Sequence, residues 1–186
     1  MSRQYFADMP NGDPNTVNFG AITGTSEASL WGALVGSSWP TQIQPSEVRP
    51  GKVWKLSAGG IITTSTTGAF TLTPRVGQVI GGITLGASIA QTVPGTALTN
   101  QAWYLEFKLI CRTVSPVATS STFIGTGFFI ASGLGGAAGA PLAISMGGTS
   151  ATADTTGTTA CGLWMGYTLS VAGSCTPEWL TWQSEN

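Results

Sequence analysis

The sequence predicts an all-β protein, a jelly-roll-like antiparallel β-sandwich with an irregular N-terminal arm. Three observations predict it. Residues 103–113 alternate, with Trp103, Leu105, Phe107, Leu109 and Cys111 on one parity and Glu106, Lys108 and Arg112 on the other. A two-residue period marks a half-buried strand, because successive side chains point to opposite sheet faces. The 26 glycines and 10 prolines divide the rest into short segments separated by turn signals. No 3.6-residue apolar periodicity persists beyond about one turn, so helices are not expected. Roughly eight to ten short strands of this kind fit a sandwich or jelly roll. At 186 residues a single domain is expected. The division is an arm over 1–20 and a sandwich over 21–186, with a Gly/Ala/Thr-rich loop excursion over about 131–160.

The elements follow in order. The arm holds Pro10-Asn11-Gly12-Asp13-Pro14-Asn15, a run of tight turns, and Tyr5, Phe6 and Phe19 give it apolar anchors for docking on a neighbour. Residues 17–25 form a short, Gly-interrupted strand, and residues 30–35 carry Trp31. A strand over 43–48 runs into the turn Arg49-Pro50-Gly51. Residues 52–58 place Trp54, Leu56 and Ala58 on one face, and Gly59-Gly60 reads as a bulge or bend. Residues 61–67 are β-branched and Thr-rich, suited to a pleated surface. In 70–76, Pro74 argues for an edge or a strand end, since it cannot donate to a ladder.

Two weak strands surround Gly81-Gly82, and Pro94-Gly95 marks a turn before the strand at 103–113. Residues 121–131 are apolar on both sides, Phe123 and Phe129 against Ile124, Phe128 and Ile130, which predicts a central or interface strand. The tract at 131–140 and the Thr-rich stretch at 147–159 read as flexible loop. Residues 162–172 set Leu163, Met165, Tyr167, Leu169 and Val171 against Trp164, Gly166, Thr168 and Ser170. The stretch 177–183 closes the pattern with Trp179, Leu180 and Trp182.

Charge is scarce, at 8% of residues with a net of −1, against roughly 25% in an average soluble domain. Either hydroxyl groups carry the solubility or neighbouring subunits cover much of the surface. Obligate interfaces are depleted in charge, so a stable oligomer is expected. The seven basic residues are scattered, which argues against nucleic acid as a partner. No apolar run is long enough for a transmembrane helix, so no membrane partner is expected. The first eight residues lack an apolar signal core, which predicts synthesis in a cytoplasm without general secretory export.

Cys111, Cys161 and Cys175 contain no CxxC pair, so a zinc cage is not expected. Cys111 reads as a small buried hydrophobe. Spacing permits a bridge between Cys161 and Cys175, while a reducing compartment argues for free thiols.

Catalytic chemistry finds little support. The chain has no histidine, which removes Ser-His-Asp, Cys-His and HExxH systems. The eight carboxylates are Asp8, Asp13, Glu27, Glu47, Glu106, Asp154, Glu178 and Glu185. Glu106, beside Lys108 on a polar strand face, reads as half of a solvated cross-strand ion pair. Asp8 and Asp13 read as turn formers. Gly133-Leu134-Gly135-Gly136 lacks the Lys-Ser or Lys-Thr of a phosphate loop. The expectation is a non-enzyme with no catalytic residue, no metal site and no cofactor.

The seven tryptophans are the unusual resource. Trp54 and Trp103 share a face with apolar neighbours and read as core. Tyr5, Phe6, Trp31, Trp164 and Trp182 are the candidates for an inter-subunit contact or a ligand platform, and the sequence leaves both roles open.

One resemblance bears on biology. Leu30-Trp31 is followed by Glu47-Val48-Arg49-Pro50-Gly51-Lys52-Val53-Trp54-Lys55-Leu56 and Ala58-Gly59-Gly60-Ile61. Then come Leu72-Thr73-Pro74-Arg75, Leu85-Gly86-Ala87-Ser88, Trp103-Tyr104-Leu105-Glu106 with Arg112, Asp154-Thr155-Thr156 and Leu163-Trp164. Over roughly residues 30–172 this order resembles β-rich virion proteins of tailed bacteriophages, of the capsid decoration, head-fibre or minor tail type. The resemblance implies a jelly-roll-like domain, commonly a homotrimer, displayed on a particle, with no catalytic residues to carry over. It implies a bacteriophage virion structural protein assembled in the host cytoplasm. Its partners would be further copies of itself and the major capsid protein or other virion proteins. The alternative is a tail or fibre component that binds host surface glycans through exposed aromatic residues.

Overall fold

Alternating apolar residues at 53–64 and 98–113 build two long strands that lie side by side, and the rest of the fold grows from that ladder. The computed structural model describes residues 23, 26–30, 41–66, 69–77, 83–85, 89–92, 97–114, 121–133, 142–149, 153, 155, 161–169 and 173–185. In chain order the strands are β1 (Ala28–Ser29), β2 (Gln42–Ile43), β3 (Val53–Thr64), β4 (Ala69–Gly77), β5 (Ile83–Thr84) and β6 (Ile89–Thr92). They continue with β7 (Leu98–Thr113), β8 (Thr122–Ala131), β9 (Leu142–Thr149), β10 (Cys161–Leu169) and β11 (Gly173–Glu185).

Two antiparallel sheets pack face to face. One is five-stranded, in the order β11-β3-β7-β8-β9. The other runs β1-β10-β4-β5, with β2 also on β10 and β6 also on β4. The all-β sandwich is therefore present. Two nested ribbons give it its jelly-roll-like character. β3 pairs with β11 in one sheet while the next strand, β4, pairs with the preceding one, β10, in the other. β7, β8 and β9 complete the first sheet as a meander.

The core lies between the sheets. Trp54, Leu56, Ala58 and Ile62 of β3 meet Leu105, Phe107, Leu109 and Cys111 of β7, and all are buried. Phe70 of β4 reaches Phe129 of β8 at 5.4 Å between ring centroids, and Trp103 stacks on Phe129 at 5.6 Å. The parity read at 103–113 and the core role of Trp54 and Trp103 both hold. β8 is central, between β7 and β9. The turn at 49–51 is also present: Gly51 has φ +80°, and Lys52 N–H donates to Arg49 O at 3.0 Å. That positive φ after a proline requires glycine.

Several expectations are corrected. Residues 45–47 form a short 3-10 turn, with Pro45 at its start, instead of continuing a strand over 43–48. Gly59 and Gly60 do not break β3, which runs through them. The bulge lies opposite, in β11, between Pro177 and Trp179. A Cβ on Gly60 would run into Thr176 O and Pro177 Cα, so glycine there lets the bulged partner approach.

Pro74 sits within an interior strand. Its carbonyl accepts Leu85 N–H at 2.8 Å on the β5–β6 side, so its donor-less nitrogen faces that side too. β6 there covers only Ala69 to Leu72 and β5 only Arg75 and Val76, so the missing donor falls in the gap. Strand β9 occupies part of the excursion expected over 131–160. Its glycines fit close to β8, since a Cβ on Gly147 would meet Gly125 O and Thr126 Cα. Cys111 and Cys175 are both buried free thiols, so Cys175 forms no bridge to Cys161.

Candidate functional site

The outer face of the five-stranded sheet collects the polar and aromatic residues left over when the core parity is removed. Register aligns them in rows across the strands. One row runs Glu185, Val53, Ile110, Ile124. The next runs Gln183, Lys55, Lys108, Thr126, and the third Thr181, Ser57, Glu106, Phe128. The fourth runs Trp179, Gly59, Tyr104, Ile130. The face therefore has an aliphatic row at one end, two charged rows in the middle and an aromatic row at the other end.

The charges are paired across neighbouring rows, Glu185 of the first row included. Lys55 Nζ lies 2.9 Å from Glu106 Oε2, and Lys108 Nζ lies 3.0 Å from Glu185 Oε2. Glu106 also accepts the Tyr104 hydroxyl at 2.9 Å. The hydrogen bond from Lys55 holds the Glu106 carboxyl below the usual carboxylate range, and the same bond raises Lys55. The expected cross-strand ion pair exists, but Glu106 takes Lys55 on β3 as its partner while Lys108 reaches past β3 to Glu185 on β11.

The aromatic row is built around an absence of side chain. A Cβ placed on Gly59 would lie 2.5, 2.7 and 2.8 Å from the Nε1, Cε2 and Cζ2 atoms of Trp179. These three consecutive atoms place the N–H edge of the indole against Gly59. Trp179 is nonetheless 36% exposed, so much of the ring meets solvent. Tyr104 stands 5.9 Å from Trp179 at an interplanar angle of 35°, and Phe128 stands 5.9 Å from Tyr104 at 44°. The bulge at Pro177/Trp179 sets the parity that brings Trp179 outward, while Leu180 and Trp182 turn inward.

The residues singled out from sequence do not converge here. Trp182 is 7% exposed and belongs to the core, because it shares the inward parity of Leu180 opposite Leu56. It is not a surface platform on this chain. Trp164 stands on β10 opposite Arg75, and its side chain lies outside the described residues. Tyr5, Phe6 and Trp31 also lie outside them. Trp179, Tyr104 and Phe128 were missed as a site. Tyr104 and Phe128 share an outward parity that the sequence does show, but the place of Trp179 beside them depends on the bulge.

Among the described residues no group of three or more Cys, Asp or Glu side chains is placed to hold a metal ion. No helix among them is long and apolar enough to cross a membrane. Arg75 and Glu27 make a two-bond pair, Nε to Oε1 at 2.9 Å and Nη2 to Oε2 at 2.8 Å, which ties the segment before β1 to β4. This geometry suits structural clamping. Comparison with protein-family models, with curated proteins and with solved structures finds no match to this chain.

Proposed function

We propose that this protein is a bacteriophage virion structural protein, a capsid decoration or cement protein that assembles as a homotrimer on the particle. The observation that supports it most is that β8 is apolar on both sides. Phe123 and Phe129 fill the core, while Ile124, Phe128 and Ile130 take the outward parity, Ile124 in one row with Ile110 and Val53. An antiparallel sheet facing only water alternates apolar with polar residues, and a sheet covered on both faces does not. The scarcity of charge supports the same reading. The N-terminal arm would dock on the major capsid protein or on a neighbouring copy, and high copy number would add avidity.

The test is the mass of the purified chain in solution together with binding to particles that lack it. A trimer is expected, and Ile124→Glu should reduce it to a folded monomer by placing a charge in the contact. A strict monomer that also fails to bind particles would overturn the proposal.

A second reading, a tail or fibre component that binds glycans, draws support from one observation. Trp179 and Tyr104 form a partly exposed aromatic strip flanked by polar groups.

A further inference from the structure

We infer that the Trp179–Tyr104 strip is a carbohydrate-binding platform that takes the apolar face of a neutral pyranose ring within an oligosaccharide. This rests on the second reading above and assigns it a site.

Three features of the strip carry the inference. The first is the seating of the indole. Because position 59 has no Cβ, Trp179 packs tightly against β3, with Nε1, Cε2 and Cζ2 all within 2.8 Å of where that Cβ would stand. The residue keeps 36% of its surface exposed, so part of the ring is reachable from solvent. A π face carries negative potential and attracts the slightly positive C–H groups that line one face of a pyranose.

The second feature is rigidity. The indole follows buried Pro177 and the bulge, and Tyr104 supports it at 5.9 Å with its hydroxyl fixed on Glu106 at 2.9 Å. A pre-set platform loses little rotamer freedom when a ligand binds.

The third is the polar margin. The Glu106 carboxylate lies in the row next to the rings, and the Lys55 ammonium reaches it at 2.9 Å from the row beyond. A sugar resting on the aromatic row would bring its ring hydroxyls toward an acceptor and a donor. Their opposite charges cancel, which favours a neutral sugar over an acidic one. A second protein copy fits this half of the face less well. It would have to strip water from the Lys55–Glu106 and Lys108–Glu185 pairs, and interface cores are depleted in charge. A sugar leaves those pairs wet.

The experiment is calorimetric titration of the full chain with cellohexaose, maltohexaose and chitohexaose, with tryptophan fluorescence read in parallel. Saturable binding to at least one is expected, with a fluorescence change. Trp179→Ala should weaken binding about tenfold or more. Gly59→Ala keeps the indole but lifts it from its seat, and should weaken binding similarly with the circular dichroism spectrum unchanged. Should Trp179→Ala fail to fold, Gly59→Ala carries the test.

Absence of binding to all three sugars would overturn the inference, as would binding that neither substitution weakens. A loss of oligomer mass in Trp179→Ala without an effect on sugar binding would make the strip a subunit contact and also overturn it. The virion reading is judged separately, because its contact is on the β8 side. Trp179→Ala should leave mass and particle binding unchanged, so the two proposals fail through different measurements.

Discussion

Glu106 shows how one carboxylate ties an ion pair to an aromatic neighbour. It receives Lys55 Nζ and the Tyr104 hydroxyl, and the Lys55 hydrogen bond is the main cause of its lowered pKa. A carboxyl whose folded pKa lies below its unfolded value stabilises the fold above the unfolded pKa. That contribution is lost as pH falls through the folded value. Lys55 is raised, so its contribution is present below its unfolded pKa and lost as pH rises through the folded one. The pair therefore acts across the neutral range and fades at both extremes. Both side chains are partly exposed, and solvent screening limits the effect. Glu106→Gln should cost no more than about 1 kcal/mol at neutral pH. Urea midpoints of the two proteins should converge in acid, and a gap that stays constant would show that packing, not charge, is lost. Two tryptophans offer a contrast at this scale. Trp103 Nε1–H donates to Ile61 O at 3.2 Å, whereas Trp54 Nε1 is buried without a partner among the described residues, a cost borne to keep a large ring beside Phe123.

At the scale of the element, two glycines separate backbone clashes from side-chain ones. A Cβ on Gly127 would meet Glu106 O and Phe107 Cα of β7, and strand backbone cannot step aside without opening the β7–β8 ladder. A Cβ on Gly59 meets the indole of Trp179, which can swing outward. Gly127→Ala should therefore cost about 3 kcal/mol or more, and Gly59→Ala less than about 1 kcal/mol. Thermal melts of both variants check the order, and equal losses would refute it. The same elements show what the sequence made legible. The strand at 103–113 and the double-sided 121–131 were readable because two-residue alternation follows directly from burial on one or both faces. Trp54 and Trp103 were placed in the core by the same parity. Pro74 was misread because its tolerance depends on a gap between β5 and β6, a tertiary fact. β9 was hidden because glycines that look like linker are what a closely approaching edge strand needs. Trp182, singled out as a candidate platform, lies inward, and Trp179, given no role, lies outward, because the bulge shifts parity between Pro177 and Trp179. The shared parity of Leu180 and Trp182 was the available signal.

For the whole molecule, the closing strand pairs with a partner far back along the chain. Glu185 of β11 faces Val53 of β3, and Gly173 faces Thr64, so the longest ladder of the sheet joins segments far apart in sequence. Such non-local pairing slows folding, because the loop must close before its contacts stabilise anything. β11 also delivers Cys175, Leu180 and Trp182 to the core. Removal of residues 173–186 should abolish cooperative unfolding and expose a surface that binds hydrophobic dye, as followed by calorimetry and dye fluorescence. A truncated chain with a sharp transition would show that the remaining strands suffice. Among the described residues β11 is also the outermost strand of its sheet, thirteen residues long. A straight rail of that length would invite a like rail from another molecule, and a chain so poor in charge has little Coulombic repulsion to prevent it. Pro177 and the offset beside it interrupt the rail near its middle. The kink that aims Trp179 therefore also breaks the continuous register that edge-to-edge pairing of two copies would need.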